Sequence, residues 1–129
     1  MPPGAWDRPG RARKGESVSL EKFVINGGKP LTGEVSISGA KNAAVAILPA
    51  TILAADKCVI ENLPAISDVT VSLQILSALG ARVRMLNKNT YEIDTTHVCC
   101  TEVPDDLSRQ MRASYYFLGA LLGRFGSAQ

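Results

Sequence analysis

The stretch Ser38–Ala54, SGAKNAAVAILPATILA, decides how the rest of the chain is read. From Lys41 to Ala55 it is apolar on almost every side, the pattern of a helix buried on most of its surface and not of an amphipathic surface helix. Such a helix needs a domain around it. Yet it opens with a fixed charge, Lys41, and an amide, Asn42. Either the pair caps the helix or it faces a ligand. Free backbone N–H groups and the helix dipole favour an anion at this end, and an ammonium adds a full positive charge, so a phosphate or carboxylate is the natural guest. The P-loop pattern GxxxxGK[ST] is absent, and spacing alone favours capping over ligand binding. Pro49 lies inside the run, so a kink or break is expected near Ala46 to Leu48.

Working outward, EKFVIN (21–26) reads as a short strand, GGKP as a turn, and GEVSIS (33–38) as a half-buried strand with Val35 and Ile37 on one face. After the helix, KCVIENLP (57–64) reads as a strand ended by Pro64. Ser67 or Asp68 suits the N-cap of a second helix whose apolar stripe is Val69, Leu73, Leu76 and Leu79, with Gly80 at the C′ position. ARVRML and TYEID flank NKN as a hairpin with Val83, Met85, Tyr91 and Ile93 inside. A last helix lies between Asp105 and Arg124, with Leu107, Met111, Tyr115, Leu118 and Leu122 on one face and a possible break near Met111. The order β-β-α-β-α-β-β, then a new helix, is an α/β (α+β) unit that begins to repeat.

Composition narrows the class. The 129 residues are 46% hydrophobic, 20% charged and 5% aromatic, a globular balance with room for one modest core. No apolar run reaches the ~18 residues of a membrane span, and the start has no apolar signal core, so a cytoplasmic protein with no membrane partner is expected. The net charge of +2 sits entirely in residues 1–19, where Arg8, Arg11, Arg13 and Lys14 face Asp7 and Glu16. The remainder balances, and no nucleic-acid partner is implied.

Candidate chemistry is sparse. Cys58, Cys99 and Cys100 have no CxxC spacing. With His97 the last two suggest a metal only if adjacent strand residues converge, and such residues point to opposite faces; no metal is expected, and buried or half-buried reduced thiols are. Arg112 interrupts the apolar QMRASYYFLG, where it either snorkels to water or holds a planar anion, while Arg109 reads as surface charge. No Ser-His-Asp pattern and no G-x-S-x-G occur, and Glu34, Glu61 and Asp68 have surface or capping spacing.

Three segments, EKFVINGGKPLTGEVSISGAKNAAVAILPATILA, ENLPAISDVTVSLQILSALGARV and MRASYYFLGALLGRFG, together resemble the N-terminal part of the UDP-N-acetylglucosamine 1-carboxyvinyltransferase family of enolpyruvyl transferases. SGAKNA and MRAS are specific in combination; the sister family making enolpyruvylshikimate phosphate carries a different motif after the glycine. The resemblance implies repeats of a βαβαββ unit around buried helices, of which residues 20–129 supply the first repeat and the start of the second. It implies transfer of the enolpyruvyl group of phosphoenolpyruvate to the 3′-hydroxyl of UDP-N-acetylglucosamine with release of phosphate, in peptidoglycan synthesis, without cofactor or metal. Lys41 and Asn42 match the motif that meets phosphoenolpyruvate and the neighbouring sugar nucleotide, and Arg112 the arginine of the UDP-N-acetylglucosamine site. No catalytic residue is assigned: the family's general-acid cysteine lies in a glycine-rich loop beyond Gln129, and none of the three cysteines matches it.

The chain is therefore expected to be an N-terminal fragment, inactive alone, whose partner is the rest of the same enzyme. The isolated fragment should be poorly soluble or molten. Leu20 stands where family members begin with methionine, and RKGE (13–16) is what a purine-rich ribosome-binding sequence would encode. Residues 1–19 are thus expected to be a disordered leader or a gene-model extension. The competing readings are a non-catalytic anion- or nucleotide-sugar-binding module and a shikimate-pathway relative.

Overall fold

The computed structural model describes residues 22–129, and the expected leader lies outside them. The chain divides into two units, residues 1–34 and 35–129. In the first, residues 22–34 form neither helix nor strand, so the strand expected in EKFVIN is not formed over its described part. Nor is the one expected in GEVSIS: Val35 and Ile37 are 87% and 89% exposed. Alternation defines a face, but a strand also needs a neighbouring edge for its N–H and C=O groups. Among the described residues only β1, β2 and β3 (Lys57–Ile60, Arg82–Asn87, Thr90–Asp94) pair with one another, and this segment joins none of them.

The second unit mixes helix and sheet. It runs α1 (Lys41–Ala54), β1 (Lys57–Ile60), α2 (Ser67–Ala78), β2 (Arg82–Asn87), β3 (Thr90–Asp94), α3 (Asp105–Ser108), a 3-10 turn (Arg112–Ser114) and α4 (Tyr115–Phe125). The expected βαβαββ order is present without its first strand. The strands form one antiparallel sheet in the order β1-β3-β2.

Helix α1 is continuous through Pro49, so of the expected kink or break it is the break that does not occur. Pro49 is buried between Leu48 and Ile52, both wholly buried, and Thr51 Oγ1 donates to the Leu48 carbonyl at 2.7 Å. Packing on either side holds the helix where one backbone hydrogen bond is missing. One side stays open, with Ile47 46% and Leu53 55% exposed, so burial is less complete than the apolar run suggests.

The end of α1 is closed by residues distant in sequence. Thr95 Oγ1, fully buried, donates to the Thr51 carbonyl at 2.9 Å. Arg124 Nη1 donates to the Ile52 carbonyl at 3.0 Å and to the Thr95 carbonyl at 2.8 Å. The last carbonyls of a helix have no intrahelical donors, and a cation complements the negative end of the dipole.

Strand β1 stops at Ile60, short of Pro64, because the chain turns at Asn62, φ 56°, and Leu63 N–H donates to Asn89. In α2 the expected stripe holds: Val69, Leu73, Leu76 and Leu79 are all buried. Its start differs, since Ile66 is the N-cap and makes no side-chain cap, which puts Ser67 and Asp68 inside the first turn. At its end Gly80, φ 102°, closes a Schellman turn: Gly80 N–H donates to Ser77 and Ala81 N–H to Leu76. A Cβ there would also meet the His97 carbonyl at 3.3 Å.

The hairpin has Lys88–Asn89 as its two-residue turn. Ile93 is buried and Val83 and Tyr91 half-buried, whereas Met85 is 62% exposed beside the irregularity between Met85 and Asn87. The last helix splits at Met111, and the split resets its phase. Met111 is buried and Leu107 half-buried, but Tyr115, Leu118 and Leu122 face outward while Phe117, Ala120 and Leu121 enter the core. A stripe drawn across a break does not carry through it. The cysteines also depart from expectation: Cys58 is half-buried, but Cys99 and Cys100 are exposed, in a segment that is not a strand.

Candidate functional site

The chain enters α1 through a close backbone crossing. A Cβ on Gly39 would collide with the carbonyl of Asn62, so only glycine lets the Ser38–Ala40 segment pass this turn. Ala40 is then the N-cap in an extended conformation, with no side-chain cap; the first helical bond runs from Ala44 N–H to its carbonyl at 3.0 Å. Lys41 and Asn42 are the first two helical residues. They do not cap α1, which removes one of the two explanations for the pair.

Lys41 instead reaches the second helix. Its Nζ lies 2.8 Å from Asp68 Oδ2 in the first turn of α2, with the lysine side chain 58% and the aspartate 20% exposed. A lysine at a helix N-terminus opposes the dipole of its own helix, and Asp68 compensates by facing both the ammonium and the start of α2. The hydrogen bond from Lys41 holds the Asp68 carboxyl below the ordinary aspartate range, with Lys41's charge and Ser67 acting the same way and partial desolvation opposing them. Sequence reading missed this pair because no spacing rule links positions so far apart; only the packing of α1 on α2 does.

Helix α2 also reaches the Arg112 segment. Ser72, one turn after Asp68, donates through Oγ to Met111 Sδ at 3.4 Å. Residues four apart on a helix share a face about 6 Å apart along its axis. Lys41 and the side chain of Met111, the residue before Arg112, therefore meet neighbouring turns of one helix. Arg112 itself is exposed at the start of the 3-10 turn and belongs to none of the ion pairs among the described residues. Arg109 pairs with Asp105 at 3.4 Å, both largely exposed, as plain surface charge. Asn42 is exposed beside Lys41.

The arrangement is an open surface and not a closed cavity. A hollow of about 160 Å³ between Gly39–Ala44 and Ile60–Pro64 adjoins the start of α1, and one of about 350 Å³ adjoins Ser67 and includes Lys88. Lys41, Asn42 and Arg112 line neither. What the surface offers chemically is two exposed cations, uncapped N–H groups and an amide, a donor set for an anion. Among the described residues no three His, Cys, Asp or Glu side chains group as a metal site, and no helix is long and apolar enough to cross a membrane.

Comparison with known proteins adds the kinship. The sequence profile described as EPSP synthase (3-phosphoshikimate 1-carboxyvinyltransferase) matches residues 25–129. UDP-N-acetylglucosamine 1-carboxyvinyltransferase 2 of Clostridium acetobutylicum is 50% identical over 111 residues, 85% of this chain and 26% of that protein. UDP-N-acetylglucosamine 1-carboxyvinyltransferase 1 of Streptococcus agalactiae serotype Ia is 50% identical over 109 residues, 84% of this chain and 26% of the relative. The crystal structure of the enolpyruvyl transferase NikO from Streptomyces tendae superposes with a TM-score of 0.68 at 34% identity, covering 79% of this chain and 24% of that one. The chain thus spans about a quarter of the length of the curated relatives it matches.

Proposed function

Because the chain belongs to the EPSP synthase (3-phosphoshikimate 1-carboxyvinyltransferase) family, we propose that it supplies part of a cytoplasmic enolpyruvyl transferase that uses phosphoenolpyruvate and UDP-N-acetylglucosamine. The observation that carries the choice of acceptor is the 50% identity to relatives named for that sugar nucleotide. In the reaction the 3′-hydroxyl loses its proton as its oxygen bonds to C2 of phosphoenolpyruvate, and the C2–C3 double bond opens as C3 gains a proton, giving a tetrahedral intermediate. The C2–O bond to phosphate then breaks, C3 loses a proton, and phosphate leaves.

Lys41 binds the phosphate of phosphoenolpyruvate and offsets the charge that moves onto it as the C2–O bond breaks; Asn42 and the first N–H groups of α1 add donors. Asp68 holds the ammonium at the mouth of α1 until the anion arrives. Arg112 holds UDP-N-acetylglucosamine, a fork suited to a diphosphate or carboxylate. Residues 20–129 are the N-terminal part of the enzyme and act with the rest of it, including the cysteine-bearing loop and the second domain.

The test is a chimera in which residues 20–129 replace the matching segment of the Clostridium acetobutylicum relative. Phosphate release from phosphoenolpyruvate that depends on UDP-N-acetylglucosamine, and not on shikimate 3-phosphate, is the expected result. Dependence on shikimate 3-phosphate assigns the chain to the other acceptor. Binding of the sugar nucleotide without turnover assigns it to a non-catalytic module.

A further inference from the structure

Cys99 and Cys100 fall outside the enolpyruvyl site, and their setting differs from what alternation on a strand gives. Both are free and exposed, and residues 98–104 have no regular secondary structure, so the fixed alternation of a paired strand is not imposed on them. The segment is nonetheless fixed on both sides. Before the pair, Val98 is buried and its N–H donates to the Thr95 carbonyl at 3.2 Å, and the backbone at His97–Cys99 packs over the Gly80 turn. After it, the Thr101 carbonyl accepts from Gln129 N–H at 2.9 Å, and Val103 N–H donates back to Gln129 at 2.8 Å. The Cys100 thiol points along this loop, 3.6 Å from the Glu102 carbonyl.

Two adjacent thiols have three ordinary fates: joining each other, binding a multi-ligand metal, or chelating one thiophilic atom. The first is disfavoured by geometry. Successive Cα atoms across a trans peptide stand about 3.8 Å apart, below the ~4.4–6.8 Å of unstrained disulfides, and strained disulfides are readily reduced. The second lacks ligands, since no third His, Cys, Asp or Glu joins the pair among the described residues. Chelation of a centre that makes two bonds to sulfur needs no further ligand and no approach of the Cα atoms.

We propose that Cys99 and Cys100 form a bidentate dithiol site for trivalent arsenicals. With an organic arsenoxide the step is redox-neutral. Two As–S bonds form, the As–O double bond breaks, and the two thiol protons leave with the oxygen as one water. Cys58, half-buried on β1 opposite Ile93, takes no part.

The experiment treats the full 129-residue chain with phenylarsine oxide and reads intact mass, first in native buffer and then in urea. One probe per chain is expected, bound with loss of one water, kept against excess glutathione and stripped by a small dithiol. Cys99→Ser and Cys100→Ser should each lower retention by at least about tenfold, and Cys58→Ser should leave it unchanged. Because the pair is exposed in the fold, native and urea-treated chains should be captured at rates within about threefold of each other. Capture only in urea, or capture that survives either single substitution, overturns the proposal.

Discussion

Thr95→Val probes the closure of α1 with almost no change of shape. Thr95 is wholly buried, and its hydroxyl hydrogen is shared between the Thr51 carbonyl at 2.9 Å and the Asp56 carbonyl at 3.2 Å. Valine keeps the volume and removes the donor. The Asp56 carbonyl still accepts Thr95 N–H at 3.2 Å, and Arg124 still holds the Ile52 and Thr95 carbonyls, so the loss falls mainly on Thr51. One net hydrogen bond is worth about 1 kcal/mol, and stranding a buried acceptor costs about 1–3 kcal/mol, so the local penalty is about 2 kcal/mol. At about 1.4 kcal/mol per factor of ten, amides in the last turn of α1 should exchange with deuterium about thirtyfold faster. The assay is hydrogen exchange by mass spectrometry on the full chain, with Thr95→Ser, which keeps the donor, as control. Equal exchange in the two variants would refute the assignment of Thr95 as the donor that closes α1.

Other outcomes follow from the same contacts. Gly39→Ala drives a methyl into the Asn62 carbonyl, an overpacking cost of about 1–3 kcal/mol, and should speed exchange at residues 40–44 without matching loss in β3. The Asp68 carboxyl lies below the ordinary aspartate range in the fold. Its pairing with Lys41 is therefore complete above the unfolded value and lost only as pH falls through the folded one. Helicity should stay flat from neutral pH into the acid range, and Asp68→Asn should remove part of the acid limb in a circular-dichroism titration. Leu118 and Leu122 stand 41% and 52% exposed on the outer face of α4, so changing both to Gln should raise the concentration at which the chain associates in sedimentation velocity, whereas Leu121→Gln should disrupt the fold.

Legibility in the sequence tracked how local each cause was. The α2 stripe and its Gly80 stop depend on residues within a few turns, and both were readable. So was the hairpin at Lys88–Asn89. The α4 face was not, because its phase is set by a break at Met111 whose place depends on burial against Ser72. GEVSIS has a strand's alternation, but pairing is decided by another segment's free edge, which no local pattern reveals. At the site, Lys41 and Asn42 stood out by their contrast with the apolar run. Asp68 did not, since its partner lies on another helix, and neither did Arg124, which holds two carbonyls of the interior.

The proposed function turns on Lys41 binding the phosphate of phosphoenolpyruvate at the open start of α1. In the chimera, steady-state phosphate release should be compared for the parent, Lys41→Ala and Lys41→Arg at varied phosphoenolpyruvate. Lys41→Ala should lower kcat/KM for phosphoenolpyruvate by about a hundredfold or more, with Lys41→Arg recovering part of it, while binding of UDP-N-acetylglucosamine is nearly unchanged. Parental kcat/KM in Lys41→Ala, in a chimera otherwise active, would contradict it.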